Sequence, residues 1–342
     1  MTPATWPRPE PREERLLRID PAAGTWRDAR LGDLPGELRA GDLLVVNDAA
    51  TLPASLRGRG PAGEDLEVRL AGLAEGGEWW AVLFGAGDWR TRTEDRPAPP
   101  RLAPGDRIAI GGDLTAVVRR VDSSSSRLVA LAFDREGARL WAALYRHGRP
   151  VQYSHVRGPL ALWHVQTGYA ARPWAVELPS AGRALTADLR SELGERGVRL
   201  ASLTHAAGLS STGEAALDAR LPLPERFEIP ARTVAAVEET RARGRRVVAV
   251  GTTAVRALEG QAALHGGRLV AGGGTTGLAI DGAHALRIVD GLLTGLHEPG
   301  TSHFALLQAF APPDLLRAAH AHADAAGYLA HEFGDSCLVL RA

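Results

Sequence analysis

A discontinuous α/β domain with a mostly parallel sheet, interrupted by an inserted all-β, barrel-like domain, is the fold class that the sequence predicts. Three observations predict it. Residues 56–151 carry short alternating segments separated by Gly, Pro and Ser turns, the signature of a small antiparallel barrel. After residue 151, helical patterns of a dozen residues alternate with continuous apolar runs, the grammar of a parallel sheet covered on both faces. The apolar run GDLLVVND (residues 41–48) comes before the alternating region, so the α/β domain begins before the insert. The expected division is 1–55 with 152–342 for the α/β domain and 56–151 for the insert. A chain of 342 residues suits one large or two modest domains.

In chain order, the first thirty residues are rich in Pro and Arg, and GDLLVVND reads as a buried strand ending in a polar pair. LEVRLAGL, WWAVLFGA, RIAIGG, LTAVVRRV and RLVALAF are the insert's strands; residues 91–106 are a loop, and DSSSS (residues 122–126) is a hairpin turn. LTADLRSELGERG, ARTVAAVEETRARG and TAVRALEGQAAL are helices, with VRLASLTH and RRVVAVG as the strands beside them. LRIVDGLL, FALLQAF and DLLRAAHAHADAAGYL continue the alternation to the C-terminus.

Composition narrows the function. Forty basic residues balance forty acidic ones, which argues against a broad basic surface for nucleic acid while leaving room for a local Arg patch. The chain has no lysine, which excludes a Walker P-loop, a Schiff-base enzyme and a kinase-type lysine. Asn47 is the only asparagine, so it is a candidate for a specific hydrogen-bonding task; the plain alternative is an ordinary turn residue. The single Cys337 allows neither an internal disulfide nor a thiolate metal cluster. No apolar run approaches the roughly 18 residues of a membrane span, and acidic residues and prolines stand where a secretion signal would need an apolar core. A cytoplasmic location without membrane partners is expected.

Three passages carry candidate chemistry. In RRVVAVGTTAVRALEG (residues 245–260) a strand stops at Gly251 and a helix opens through Thr252 and Thr253, with Arg256 one turn in. Such a helix start suits a carboxylate or phosphate; the plain alternative is a Thr cap without a ligand. In IVDGLLTGLHEPGTSHFALLQAF (residues 288–310) a strand gives way to a loop with Thr294, His297, Glu298, Thr301, Ser302 and His303, in which His297 and Glu298 are candidate acids or bases; the plain alternative is a surface loop that happens to carry His. HVQTGYA and WAVELPSAGRALT offer Gln166, Thr167, Tyr169 and Ser180, groups that suit a ribose or nucleoside. No His pair has helical spacing beside a third ligand, so no metal is expected. There is no nucleophile elbow and no GxGxxG after a strand.

In this order the segments LRAGDLLVVNDAATLPASLRG, HGRPVQY, VQTGYA, LPSAGRALT, ERFEIP, RRVVAVGTTAVRALEG, IVDGLLTGLHEPGTSHFALLQAF and YLAHEFGDSCLVL resemble the S-adenosylmethionine:tRNA ribosyltransferase-isomerase family of queuosine biosynthesis. The resemblance covers most of the chain. It implies that S-adenosylmethionine is a substrate, that its ribosyl carbons pass to 7-aminomethyl-7-deazaguanine in the tRNA anticodon loop, and that adenine and methionine leave. It also implies that no metal or redox cofactor is needed: the sulfonium acidifies the ribose C5′–H, a base removes that proton, and an acid assists the departure of adenine.

The resemblance has departures. Asn47-Asp48-Ala49-Ala50 and Pro53-Ala54-Ser55-Leu56 lack two arginines of the family pattern, Ala184 stands where a histidine is usual, and His205 comes one place early. The donor half is therefore the better matched half. Besides the tRNA reaction, two readings stay open: a relative acting on S-adenosylmethionine alone or with a small-molecule acceptor, and a non-catalytic nucleoside-binding protein, which a pocket filled by Arg183 would favour. Site expectations are Asn47, Asp48, Glu225, His297 and Asp335 for proton transfer or orientation. Gln166, Thr167, Tyr169, Ser180, Gly251, Thr252, Thr253, Arg256, Thr294, Thr301 and Ser302 are expected to bind substrate.

Overall fold

The structure is a computed structural model and describes residues 1–341. Its larger sheet has nine strands in the order Gly272–Thr276, Glu225–Ile229, Arg199–His205, Leu43–Asn47, Val247–Val250, Gly291–Gly295, Ser336–Leu340, Arg15–Asp20, Thr25–Arg30. The four strands from Arg199–His205 to Gly291–Gly295 run parallel, and antiparallel pairs extend both flanks. Leu43 and Val45 pack into one apolar layer and Leu44 and Val46 into the opposite one. This two-sided burial is why the run LLVVN has no polar alternation. Helices Ala231–Ala242, Thr252–Leu264, Ser302–Leu307 and Pro313–Ala325 cover the first face, and Ala187–Glu195 covers the second.

Between Leu43–Asn47 and its neighbour Arg199–His205 the chain makes a six-stranded antiparallel barrel. Ser55–Arg59, Asp65–Leu73, Trp79–Phe84, Ser125–Phe133, Leu114–Asp122 and Arg107–Ile110 pair in that spatial order, and Gly58↔Ile110 and Arg59↔Ala109 close it. Closure removes free strand edges, and alternate residues such as Leu66, Val68 and Leu70 fill the interior. Gly58 suits the closing seam, since a Cβ there would lie 2.7 Å from the Ile108 side chain. At its base the barrel is fastened twice. Ala49–Thr51 pairs in parallel with Arg172–Ala175, and the Gln166 amide exchanges two hydrogen bonds with the Thr51 backbone, at 3.0 and 2.9 Å.

The Pro- and Arg-rich start departs from the simple sequence reading, because it contributes the hairpin Arg15–Asp20 and Thr25–Arg30 to the large sheet. Thr25–Arg30 is an outer strand with mostly exposed side chains, so it lacks the apolar run that marks a covered strand. The loop at residues 91–106 contains one 3₁₀ turn, Thr93–Asp95, and a tight turn in which the Asp106 N–H donates to the Ala103 carbonyl at 3.0 Å, and the DSSSS segment lies at the hairpin between Leu114–Asp122 and Ser125–Phe133. No helix among the described residues is long and apolar enough to cross a membrane.

Candidate active site at the carboxyl edge of the parallel strands

Parallel strands end at one edge of the sheet, and ligands of open α/β sheets bind outside that edge. Here Asn47, His205, Gly251 and Thr294 lie at the ends of the four parallel strands. The antiparallel strand Glu225–Ile229 and the strands Ser336–Leu340 and Arg15–Asp20 begin at the same edge, which brings Glu225, Asp335 and Glu14 to it.

Asn47 is 1% exposed and uses its whole amide. Its Oδ1 accepts from the backbone N–H of His205 (2.9 Å) and Ala49 (3.1 Å), while Nδ2 donates to the His205 carbonyl (3.0 Å) and to Thr253 Oγ1 (3.2 Å). Asn47 therefore ties three elements, and only an amide offers two donors and two acceptors in that space. Beside it Asp48 accepts from Thr204 Oγ1 at 2.6 Å.

Gly251 has φ of +89°, a conformation that disfavours a side chain, and it opens the helix Thr252–Leu264. The Thr252 and Thr253 amides have no acceptor among the described residues, the expected state of a helix start. The Ser180–Gly182 turn lies directly over this start: a Cβ on Gly251 would be 3.5 Å from Ala181 Cβ. On its other side the turn meets Tyr169, whose hydroxyl would be 1.8 Å from a Cβ on Gly182. Thr167 is buried next to it, with Oγ1 unpartnered. Gly251, Thr252, Thr253, Ser180, Thr167, Tyr169, Asn47 and Asp48 thus form one contiguous region. A groove of about 370 Å³ opens beside Asp48 and Tyr169 and is also lined by Arg190, Ser202 and Arg232.

A second group lies on the other side of Asn47. Arg256 pairs with Glu225, and its Nε donates to the Leu278 carbonyl at 3.2 Å. Glu225 also accepts from the Gly208 N–H at 2.6 Å, and His205 Nε2 lies 3.5 Å from its other oxygen. His205 is completely buried, and burial pushes its imidazole down to about 4 despite the neighbouring carboxylate. The His303 ring is near the Arg256–Glu225 pair and stacks on His297, with centroids 4.8 Å apart. Burial, followed by the neighbouring His303, His320 and His331, holds His297 well below the usual imidazole range. Its Nε2 is 2.8 Å from Thr294 Oγ1. Burial of this kind keeps the His205 and His297 imidazoles neutral at neutral pH, as weak bases.

Carboxyls at the same edge are shifted the other way. Burial raises Glu14 to about 7 even though Arg183 and Ser336 bind it, at 3.2 and 2.6 Å. Burial also raises Glu177, which accepts from Tyr153 and from the Ser210 N–H (2.9 Å). Environments that drive acids up and imidazoles down separate proton donors from proton acceptors.

Other residues singled out from the sequence have local tasks. Asp335 accepts from Arg8 (2.6 Å) and from the N–H groups of Arg15 (2.9 Å) and Leu329 (2.7 Å). The Gln166 amide is committed to Thr51. Thr301 caps the helix Ser302–Leu307 by accepting from the Phe304 N–H, and Ser302 is exposed. Arg183 does not line the groove beside Tyr169; it pairs with Glu14 and lies over Phe333. Ala184 lies in the apolar layer with Leu185 and Leu189. Glu14 and Glu177 went unmarked in the sequence, and His205 and His303, though noted in it, were not among the expected site residues: burial and long-range partners bring all four forward.

The family model for queuosine biosynthesis proteins matches residues 2–339. The S-adenosylmethionine:tRNA ribosyltransferase-isomerase of Acidithiobacillus ferrooxidans is 36% identical over 336 residues, spanning 97% of this chain and 93% of that protein. The protein of the same name from Synechococcus sp. is 38% identical, over 96% and 90% of the two chains, and that of Thermus thermophilus 35%, over 97% and 94%. The crystal structure of the S-adenosylmethionine tRNA ribosyltransferase of Thermotoga maritima superimposes with a TM-score of 0.54 at 26% identity, covering 99% of this chain and 96% of that one. With its barrel set into an α/β domain and its likeness running nearly end to end, the chain belongs to the queuosine biosynthesis protein family, that of the S-adenosylmethionine:tRNA ribosyltransferase-isomerases.

Proposed function

We propose that this protein transfers and isomerises the ribosyl moiety of S-adenosylmethionine onto 7-aminomethyl-7-deazaguanine in tRNA, giving epoxyqueuosine and releasing adenine and methionine. The observation that carries this reading is the near full-length identity to enzymes of that name. The site's division into neutral imidazoles and protonation-prone carboxyls supports it.

In this reading the free amides of Thr252 and Thr253 receive the methionine carboxylate, and Arg256 organises the adjacent wall through Glu225. Tyr169, Thr167 and Asp48 border the nucleoside, with the Ser180–Gly182 turn fixing the distance between the two subsites. His297, neutral and aligned by Thr294, takes the C5′ proton that the sulfonium acidifies. Glu177, kept toward its protonated form, supplies the proton with which adenine leaves. The amine takes adenine's place at C1′ with loss of its proton, and the C1′–O4′ bond opens to an iminium and an O4′ alkoxide. The C5′ carbanion bonds to C1′ to close the cyclopentane, and O4′ then displaces methionine from C5′, the C–S electron pair leaving with it as the epoxide closes. These steps balance without a metal or a redox cofactor. Features suited to RNA lie nearby: the Arg226 and Arg172 guanidiniums are 3.5 and 5.5 Å from the Trp174 ring, and Trp163 is 77% exposed.

The test is mass spectrometry of S-adenosylmethionine incubated with the protein, alone and with tRNA carrying the deazaguanine precursor. Adenine and methionine released only with that tRNA, with a matching mass gain on the RNA, is the expected result. Breakdown without tRNA, or intact S-adenosylmethionine throughout, overturns it.

A further inference from the structure

Bordering the site just described, His155, His331 and Glu332 converge from two distant parts of the chain. Their nearest ligand-capable atoms all lie within 4.8 Å of one another. His155 Nε2 is 3.0 Å from Glu332 Oε2, and the His155 ring stacks on His331 with centroids 4.5 Å apart. His155 sits in the segment that leaves the barrel, whereas His331 and Glu332 form the turn before the last strand, Ser336–Leu340.

That turn is tightly specified. The Gly334 N–H donates to the His331 carbonyl at 2.9 Å, Asp335 accepts from Leu329, and a Cβ on Gly334 would collide with the Leu329 carbonyl at 2.5 Å. His331 itself has φ of +68°, the one non-glycine residue with positive φ among those described. A histidine held there is strained relative to ordinary backbone, and strained side chains concentrate where a group must be aimed. A simple ion pair accounts for His155 and Glu332. It does not account for a third group turned against them at the expense of backbone strain.

We propose that His155, His331 and Glu332 form a binding site for a divalent transition metal of the zinc class. Two imidazoles and one carboxylate match the preference of such ions, whereas calcium and magnesium take oxygen ligands. The His155 and Glu332 side chains are 15% and 23% exposed and His331 is exposed, so an ion can reach the cluster from solvent. Binding clasps the barrel's return segment to the C-terminal turn. It thereby steadies Tyr153, whose ring stacks near His155 and whose hydroxyl meets Glu177. The ion's role is structural, and the inference stands independently of the proposed reaction.

The experiment uses the full chain stripped with EDTA and dialysed. It is titrated with Zn²⁺ by calorimetry and with Co²⁺ by visible absorption, without S-adenosylmethionine or tRNA. His331→Asn removes a ligand yet tolerates positive φ, and His155→Phe removes another while keeping a stacked ring. His322→Gln is the control, since His322 pairs with Asp28 elsewhere. The expected result is a single Zn²⁺ per chain and ligand-field absorption by Co²⁺. Affinity should fall by about tenfold or more in both variants, at least the loss that outer-shell changes produce, and remain unchanged in the control. Absence of binding, or equal affinity in the parent and both variants, overturns the site. Metal-free melting curves verify folding, and if His331→Asn does not fold, His155→Phe decides.

Discussion

Replacing Asn47 with Ala tests the joint between the two halves of the site. The substitution removes the acceptor of two buried N–H groups, those of His205 and Ala49, and the donor to the His205 carbonyl and Thr253 Oγ1. An orphaned buried donor costs about 1–3 kcal/mol, so the two amides alone set a loss of about 2–6 kcal/mol. The Thr253 hydroxyl can turn to another partner and adds little. Against a total of about 5–15 kcal/mol for a native protein, this is a large fraction. Urea unfolding followed by tryptophan fluorescence reads it as a lower midpoint with an unchanged slope. Because Asn47 also fixes Thr253 at the helix start, calorimetry should show weaker S-adenosylmethionine binding in the fraction that stays folded. A stability loss under about 1 kcal/mol with full affinity would refute the reasoning, since the four bonds would then carry neither fold nor site.

Four further perturbations have defined outcomes. His297→Ala should slow turnover by about 100-fold or more if the imidazole moves a proton; a rate within a few-fold of the parent in a single-turnover assay removes it from the chemistry. Arg256→Met leaves Glu225 buried without its partner and should cost about 3–5 kcal/mol, whereas adding Glu225→Leu should recover most of that in chemical denaturation; equal losses would deny the coupling. His205 titrates near 6.5 when unfolded and about 4 when folded, so its contribution is intact above 6.5 and lost as pH falls toward 4. The loss reaches about 3 kcal/mol, and a pH series on His205→Gln should lack it. Glu14 is shifted the opposite way, from 4.5 up to about 7, so it weakens folding increasingly as pH rises through that window. Glu14→Gln should therefore gain stability relative to the parent between those values, and parallel pH profiles would contradict the shift.

The amount legible in the sequence follows from how local each signal is. LLVVN, VVAV and the alternating barrel segments announce themselves, because burial on two faces and on one face leave different periodicities. The hairpin Arg15–Asp20 and Thr25–Arg30 does not, since its outer strand is polar and its partner Ser336–Leu340 lies at the far end of the chain. In the site, Gly251, Thr252 and Thr253 are readable because a strand stop and a helix start are adjacent in sequence. Asn47 draws notice as the lone asparagine of a lysine-free chain. What its amide ties together, His205 to Thr253, depends on two crossovers that no spacing encodes. His155 and Glu332 are separated by 177 positions, so only the folded chain makes them neighbours.

The placement of the barrel also dictates an order of assembly. Its six strands are complete once Ser125–Phe133 has been made; four of its pairs are hairpins between successive strands, and the other two span about 50 residues. The large sheet has the opposite character: Leu43–Asn47 waits for Arg199–His205 and Val247–Val250, and Arg15–Asp20 waits for Ser336–Leu340. On a ribosome the barrel can therefore close first, while the apolar run LLVVN stays without neighbours until most of the chain has emerged. During that interval the exposed central strand is the segment most open to wrong pairing, and chaperones that bind short apolar stretches have their natural target there.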